Sequence, residues 1–143
     1  MVFLRPKKLI YIYNFLWFLL TPLVPILLIY RILIGKEEIS RVKERFGYSS
    51  LDNKSKKDKL VWLHAASLGE VVSATSLSIG LREVGFKGVI LITSGTKTSS
   101  FFLKDYKDIL HQYHPLDNKV WVDRFINFWK PDALIMIESE VWP

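Results

Sequence analysis

Four short apolar runs, spaced by segments of helical periodicity, decide what this chain can fold into. They are Leu60–Leu63, Gly88–Thr93, Ile109–Tyr113 and Ala133–Ile137, and turn formers or charges bound each one. Short continuous apolar runs suit strands buried on both faces; Ile109–Tyr113, interrupted by His111 and Gln112, is the weakest of the four. Between them lie Val71–Val84, a short helical stretch over Phe101–Lys107, and Asn118–Lys130. In the last of these Trp121, Phe125, Phe128 and Trp129 line one side, while Asp123, Asn127 and Lys130 fall away from it. Gly85 is a natural C-cap and Pro131 a helix stop. This alternation predicts an α/β fold: a Rossmann-like parallel sheet covered by helices, with right-handed crossovers.

Ahead of the alternating region the chain changes character. Leu9 to Tyr30 is a run of 22 residues with no charge, long enough to cross a hydrocarbon core of roughly 30 Å as a helix. Arg5, Lys7 and Lys8 precede it, Arg31 and Lys36 follow it, and Tyr11, Tyr13, Trp17 and Tyr30 lie toward its ends, as interfacial aromatic rings do. No small-x-small cleavage site follows the run, which argues against a signal peptide. Residues 1–34 are therefore expected to be a hydrophobic membrane anchor, spanning or hairpin-like around Pro22 and Pro25. Because both flanks are basic, the charges do not orient it. Residues 35–59 follow as an amphipathic helix, with Ile39, Val42 and Phe46 at helical spacing among charges of both signs, and then a lysine-rich linker. That helix could meet lipid or pack, solvated, on the domain. Residues 60–143 form the α/β domain.

The composition narrows the chemistry. With no cysteine there is no disulfide framework, no thiol nucleophile and no cysteine metal site. His64, His111 and His114 lack metal-ligand spacing. A net charge of +6 suits an anionic partner, yet the positive charges spread over linker and anchor rather than one face, which disfavours nucleic acid.

In a parallel sheet the carboxyl ends of all strands share one edge, and ligands bind there. The first run is followed by His64, Ser67, Gly69 and Glu70, the second by Thr96, Lys97, Thr98 and Ser99, the third by His114 and Asp117, and the fourth by Glu138 and Glu140. Carboxylates and hydroxyls in number suit a sugar; hydroxyls, a lysine and helix N-termini suit a phosphate. Glu70 is a candidate general base, although a carboxylate there also favours the positive end of a helix dipole. Ser67 reads as an N-cap, and the hydroxyl loop Ser94–Ser100 lacks the P-loop pattern. Two carboxylates directly after an apolar strand are costly unless satisfied or open to a site, which favours a site role for Glu138 or Glu140.

Three stretches together resemble one family: Trp62–Glu70, carrying His64-Ala65-Ala66-Ser67-Leu68-Gly69-Glu70; the loop Thr93–Ser100; and Glu138-Ser139-Glu140-Val141-Trp142-Pro143. Arg45-Phe46-Gly47 and Tyr113-His114-Pro115-Leu116-Asp117 are similar to it as well. The family is the 3-deoxy-D-manno-octulosonic acid (Kdo) transferases, and the likeness runs over about residues 41–143. It implies the N-terminal, acceptor-side domain of a GT-B glycosyltransferase that moves Kdo from CMP-Kdo to lipid A precursor in lipopolysaccharide assembly. The enzyme implied is inverting and metal-independent, needs no cofactor, and sits on the cytoplasmic side of the bacterial inner membrane.

Carried onto this sequence, Glu70 is the base that deprotonates the acceptor hydroxyl, and Glu138 or Glu140, with Glu138 favoured, is a second essential acid. Ser67 and Thr96–Ser99 would lie near the acceptor and its phosphates. Ser94-Gly95 and Lys97 depart from the more threonine-rich family loop. The family continues beyond Pro143 with a donor-binding domain. The chain is thus expected to be a fragment, from a truncated or split gene or a partial sequence. Alone it would be inactive, with a separately encoded donor domain as a partner it could take. The alternative is a catalytically inactive, membrane-anchored module that binds lipid A precursor or anionic lipid.

Overall fold

The computed structural model describes residues 7–52 and 58–137. Helix α1 (Lys7–Leu20) passes through a 3-10 turn (Thr21–Leu23) into α2 (Val24–Leu33), and a second 3-10 segment covers Ile39–Phe46. The α/β domain then runs β1 (Leu60–His64), α3 (Leu68–Glu83), β2 (Val89–Ser94), α4 (Lys97–Leu103), β3 (Ile109–Tyr113), α5 (Lys119–Trp129) and β4 (Ala133–Met136). All strand pairs are parallel, in the spatial order β3-β2-β1-β4.

Alternation along the central strands divides the core between two faces. Leu63, Ile90 and Ile92 meet Val71 and Ala74 of α3 and Leu103 of α4. On the other face Leu60 and Leu91 meet Phe125 and Trp129 of α5, and the Trp62 ring lies 4.7 Å from Phe125. The sheet is therefore wound in both directions from β1. The reversal of strand order falls between β1 and β4, where an open α/β sheet forms its crevice.

Both helices that follow β1 and β2 begin earlier than the hydrophobic pattern predicts. Helix α3 starts at Leu68 rather than Val71 because Ser67 caps it. Helix α4 starts at Lys97 rather than Phe101 because the Thr96 hydroxyl accepts the Ser99 amide at 3.2 Å. The stretch expected to be a hydroxyl loop is thus largely the first turn of a helix, its serines and threonines serving as caps. On α5, Trp121, Phe125 and Trp129 are buried as expected, but Phe128 turns outward.

The N-terminal rod has no hairpin. Leu20, Leu23 and Val24 keep right-handed helical dihedrals through the Pro22 turn. It packs on the domain through Val24 and Leu28, which are buried with Trp121 beside Trp17, Val42, Phe46 and Leu116.

Candidate active site at the strand ends

The segment Ile39–Phe46, expected to be an amphipathic helix that meets lipid or packs solvated on the domain, is a 3-10 segment that buries two of its charges. Glu44, Arg45 and Glu37 are at most 5% exposed, while apolar Ile39 is 72% exposed. Glu44 accepts from Arg41 Nε and Nη2, both at 2.9 Å, and from the Tyr113 amide at 2.7 Å. Arg45 pairs with Glu37 at 2.9 Å, and Arg31 meets the same carboxylate at 2.9 Å. The two guanidinium groups of Arg41 and Arg45 lie 4.6 and 4.7 Å from the Tyr113 ring centroid, and the Tyr113 hydroxyl donates to Glu38 at 2.8 Å. Three arginines thus face three glutamates around one buried tyrosine.

This cluster fixes the strand-end loops. Arg45 donates to the Gly95 carbonyl after β2 at 2.7 Å and to the His114 carbonyl after β3 at 3.3 Å. Arg41 donates to the Ser100 hydroxyl and to the His111 carbonyl, both at 2.9 Å. Gly47 closes the segment at φ +78°, and a Cβ there would sit 2.0 Å from the Trp121 carbonyl oxygen, so only glycine fits.

At the end of β1 the chain turns into α3 through a capping box. The Ser67 hydroxyl donates to Glu70 Oε1 at 2.6 Å, and the Ala66 and Ser67 amides donate to Glu70 at 2.8 and 3.2 Å. Desolvation pushes the Glu70 carboxyl up, but these hydrogen bonds and the nearby His64 outweigh it and hold the group below its ordinary value. Glu70 is therefore ionised at neutral pH, with acceptor capacity left beyond its three donors.

His64 stands at the tip of β1, its Nδ1 2.9 Å from the Thr93 hydroxyl oxygen. The Trp62 indole donates to that same oxygen at 2.8 Å, so the Thr93 proton is available to His64 Nδ1. The His64 and His114 rings meet edge-on at 5.4 Å. Burial, then Arg45 and His64, push His114 down to about 3, and burial with Arg41 and Arg45 does the same to His111. Both imidazoles are neutral. His114 Nδ1 is buried without a hydrogen-bond partner.

Two cavities flank these elements. The first, about 670 Å³, opens at the β1–β4 reversal between Trp62, His64, Ala66, His114 and Met136 on the domain side and Trp17 of α1. The second, about 640 Å³, lies between the end of α2 and the start of α4, where Arg31, Lys36 and Lys97 converge with Thr96 and Thr98. The expected site residues therefore fall into two groups. Ser67 and Glu70 belong to the turn whose Ala66 edges the first cavity, and Lys97 and Thr98 edge the second. Ser99 is buried as a partner of Thr96 at 2.7 Å, and Gly69 is exposed. Glu138 and Glu140 lie outside the described residues. Among the described residues no three His, Asp or Glu side chains gather as a metal ion would need.

The chain matches the profile of the 3-Deoxy-D-manno-octulosonic-acid transferase (kdotransferase) family over residues 40–143. It belongs to this family. It is 43% identical over 136 residues to the 3-deoxy-D-manno-octulosonic acid transferase of Rickettsia bellii, covering 92% of this chain and 32% of that protein. It is 37% identical to a protein of Arabidopsis thaliana named "Probable 3-deoxy-D-manno-octulosonic acid transferase, mitochondrial", covering 92% of this chain and 30% of that one. Identity to the Aquifex aeolicus transferase is 42% over 86 residues, 58% of this chain and 23% of the relative. The chain spans about a third of the length of the first of these curated relatives, and no solved structure matches it.

Proposed function

We propose that this chain supplies the acceptor side of a membrane-associated enzyme that transfers Kdo from CMP-Kdo to the phosphorylated glucosamine disaccharide of lipid A precursor. The donor would bind in a second domain facing it, in the GT-B manner, and the work would take place on the cytoplasmic side of the inner membrane. The observation that carries this reading is the placement of the His64–Glu70 motif at the end of β1, beside a cavity at the sheet's reversal point.

Departure of CMP builds positive charge at the anomeric carbon of Kdo, and the acceptor hydroxyl attacks it as an oxygen nucleophile. The hydroxyl proton passes to Glu70, the C–O bond forms, and the bond to the phosphate of CMP breaks. The low proton affinity of Glu70 suits a late transfer, after the attacking oxygen has been acidified by bonding to carbon. His64, held by Thr93, would orient the acceptor, while Arg31, Lys36 and Lys97 would meet its phosphates. Either Glu138 or Glu140 would be the second essential acid.

The cationic second cavity also favours a plainer reading, in which the chain binds anionic lipid without chemistry. Kdo transfer from CMP-Kdo, assayed in membranes lacking another transferase with this segment joined to a family donor domain, separates the two. Activity that falls by about 10²–10⁴ in Glu70→Gln supports the base. Retained activity in that variant overturns it, and no transfer by the wild-type segment favours the binding module.

A further inference from the structure

The rod Tyr11–Leu33 is apolar enough to cross a bilayer, with 12% of its most hydrophobic window buried. Yet it is fastened to the domain along its whole length by one face. Near its start the Tyr13 hydroxyl donates to the Asp117 carboxylate. The Trp17 ring meets Trp121 edge-on at 6.3 Å, Val24 and Leu28 are buried further along, and Arg31 pairs with Glu37 at 2.9 Å near its end. Tyr13 and Arg31 are about 27 Å apart along a helix, close to the thickness of a hydrocarbon core of about 30 Å. The opposite face is bare and apolar: Phe15, Phe18, Leu19, Leu23, Ile26 and Leu33 are each more than half exposed.

A rod standing across the bilayer in this arrangement would draw Asp117, Glu37 and the loops bearing them to membrane depth, which ionised side chains resist. Lying flat, it buries only the bare face and leaves the domain in water. The flanking charges agree. Arg5, Lys7 and Lys8 at one end and Arg31 and Lys36 at the other give a spanning helix no preferred direction, but they suit two ends that meet one layer of anionic headgroups.

We propose that the N-terminal rod lies in the plane of an anionic lipid leaflet, outward face down, with both ends on the domain's side of the membrane. This rests on the membrane-associated reading above and departs from the expectation of a spanning anchor.

The natural chain has no cysteine, so single labels are unambiguous. Val2→Cys and Lys36→Cys, made separately in the whole chain, are treated with a membrane-impermeant maleimide in right-side-out and in inverted inner-membrane vesicles, with detergent-opened vesicles as the full-labelling control. The expected result is that both sites label in inverted vesicles and neither in right-side-out ones. Labelling of the two sites from opposite sides overturns the proposal while leaving membrane association intact. Recovery of the wild-type chain in the soluble fraction overturns both. As an independent arm, Phe18→Glu is expected to weaken binding to phosphatidylglycerol vesicles at least tenfold with unchanged thermal unfolding, and undiminished binding counts against the proposal.

Discussion

Glu44 is the residue whose removal should report most clearly on the buried charge cluster. Its carboxylate is 0% exposed and takes two charge-assisted hydrogen bonds from Arg41 and one from the Tyr113 amide. Truncation to Ala leaves Arg41 facing a void and the Tyr113 amide without an acceptor. Breaking one side of a buried ion pair costs about 3–5 kcal/mol, and an orphaned buried amide costs about 1–3 kcal/mol. Arg41 is 20% exposed and keeps Ser100 and the His111 carbonyl, so water and these partners temper the loss and about 3 kcal/mol is expected. For a chain of this size that lowers Tm by about 10 °C. Glu44→Gln keeps an oxygen for the Tyr113 amide and should lose about half as much. The Glu44→Ala, Arg41→Met double variant should be less destabilised than the sum of the two singles, since it removes the stranded charge. Thermal and urea unfolding followed by circular dichroism give these values. A loss below about 1 kcal/mol in Glu44→Ala, or additive singles, would refute the argument that the pair is desolvated and coupled.

Other consequences can be checked alongside it. Gly47→Ala should cost more than the roughly 1 kcal/mol of a positive-φ penalty alone, because the added carbon strikes the Trp121 carbonyl; a neutral substitution would show that the backbone there yields freely. Phe125→Ala should destabilise by about 3–5 kcal/mol and Phe128→Ala by much less, separating the buried stripe of α5 from its flank in the same denaturation assay. His111 and His114 stay neutral in the fold down to about pH 3, while in the unfolded chain they bind a proton near pH 6.5. Their contribution is therefore complete above pH 6.5 and is lost as pH falls, by about 1.4 kcal/mol per pH unit for each. Urea unfolding at pH 7 and pH 5 should show the drop, and His111→Gln should reduce it by about half. Glu70→Gln should cost about 1 kcal/mol through the weakened capping box, an effect on melting separable from any effect on turnover.

Much of the sheet was legible because strand periodicity, helix caps and the Pro131 stop all point the same way. The four runs became β1 to β4 within a residue or two at each end. Helix starts were less legible. Thr96 hides the start of α4, since a hydroxyl that caps a helix reads as loop when only apolar spacing is followed, whereas Ser67 was readable as an N-cap three residues ahead of the apolar pattern of α3. The cluster around Tyr113 was not legible in the charge pattern. Glu37, Glu44 and Arg45 sit among charges of both signs, a pattern that ordinarily marks a solvated face. What buries them is pairing of Arg45 with Gly95 and His114 and of Glu44 with Tyr113, tens of residues away, with Glu37 held by Arg45. A signal was present in Arg45-Phe46-Gly47, where a positive-φ glycine must pass close to α5. At the candidate site the strand–turn–helix order around Ala66–Glu70 was legible, and of that turn Ala66 lines the first cavity. The grouping of Lys97 with Arg31 and Lys36 depends on where the N-terminal rod docks, which no local pattern encodes.

The strand order also dictates when the first cavity can exist. β1 meets β2 across about thirty residues of chain, but meets β4 across about seventy, a costlier closure. Lys59 and Asp132 clasp at 2.8 Å where that long loop shuts, and Asp132 also accepts the Leu60 amide at 2.8 Å. During synthesis β1, β2 and β3 can assemble while β4 is still unmade, so the crevice between β1 and β4 is the last feature of the sheet to appear. Pulse-labelled hydrogen exchange should protect the amides of β2 before those of β4; simultaneous protection would mean that the sheet closes in a single step and the cavity is born with the rest of it.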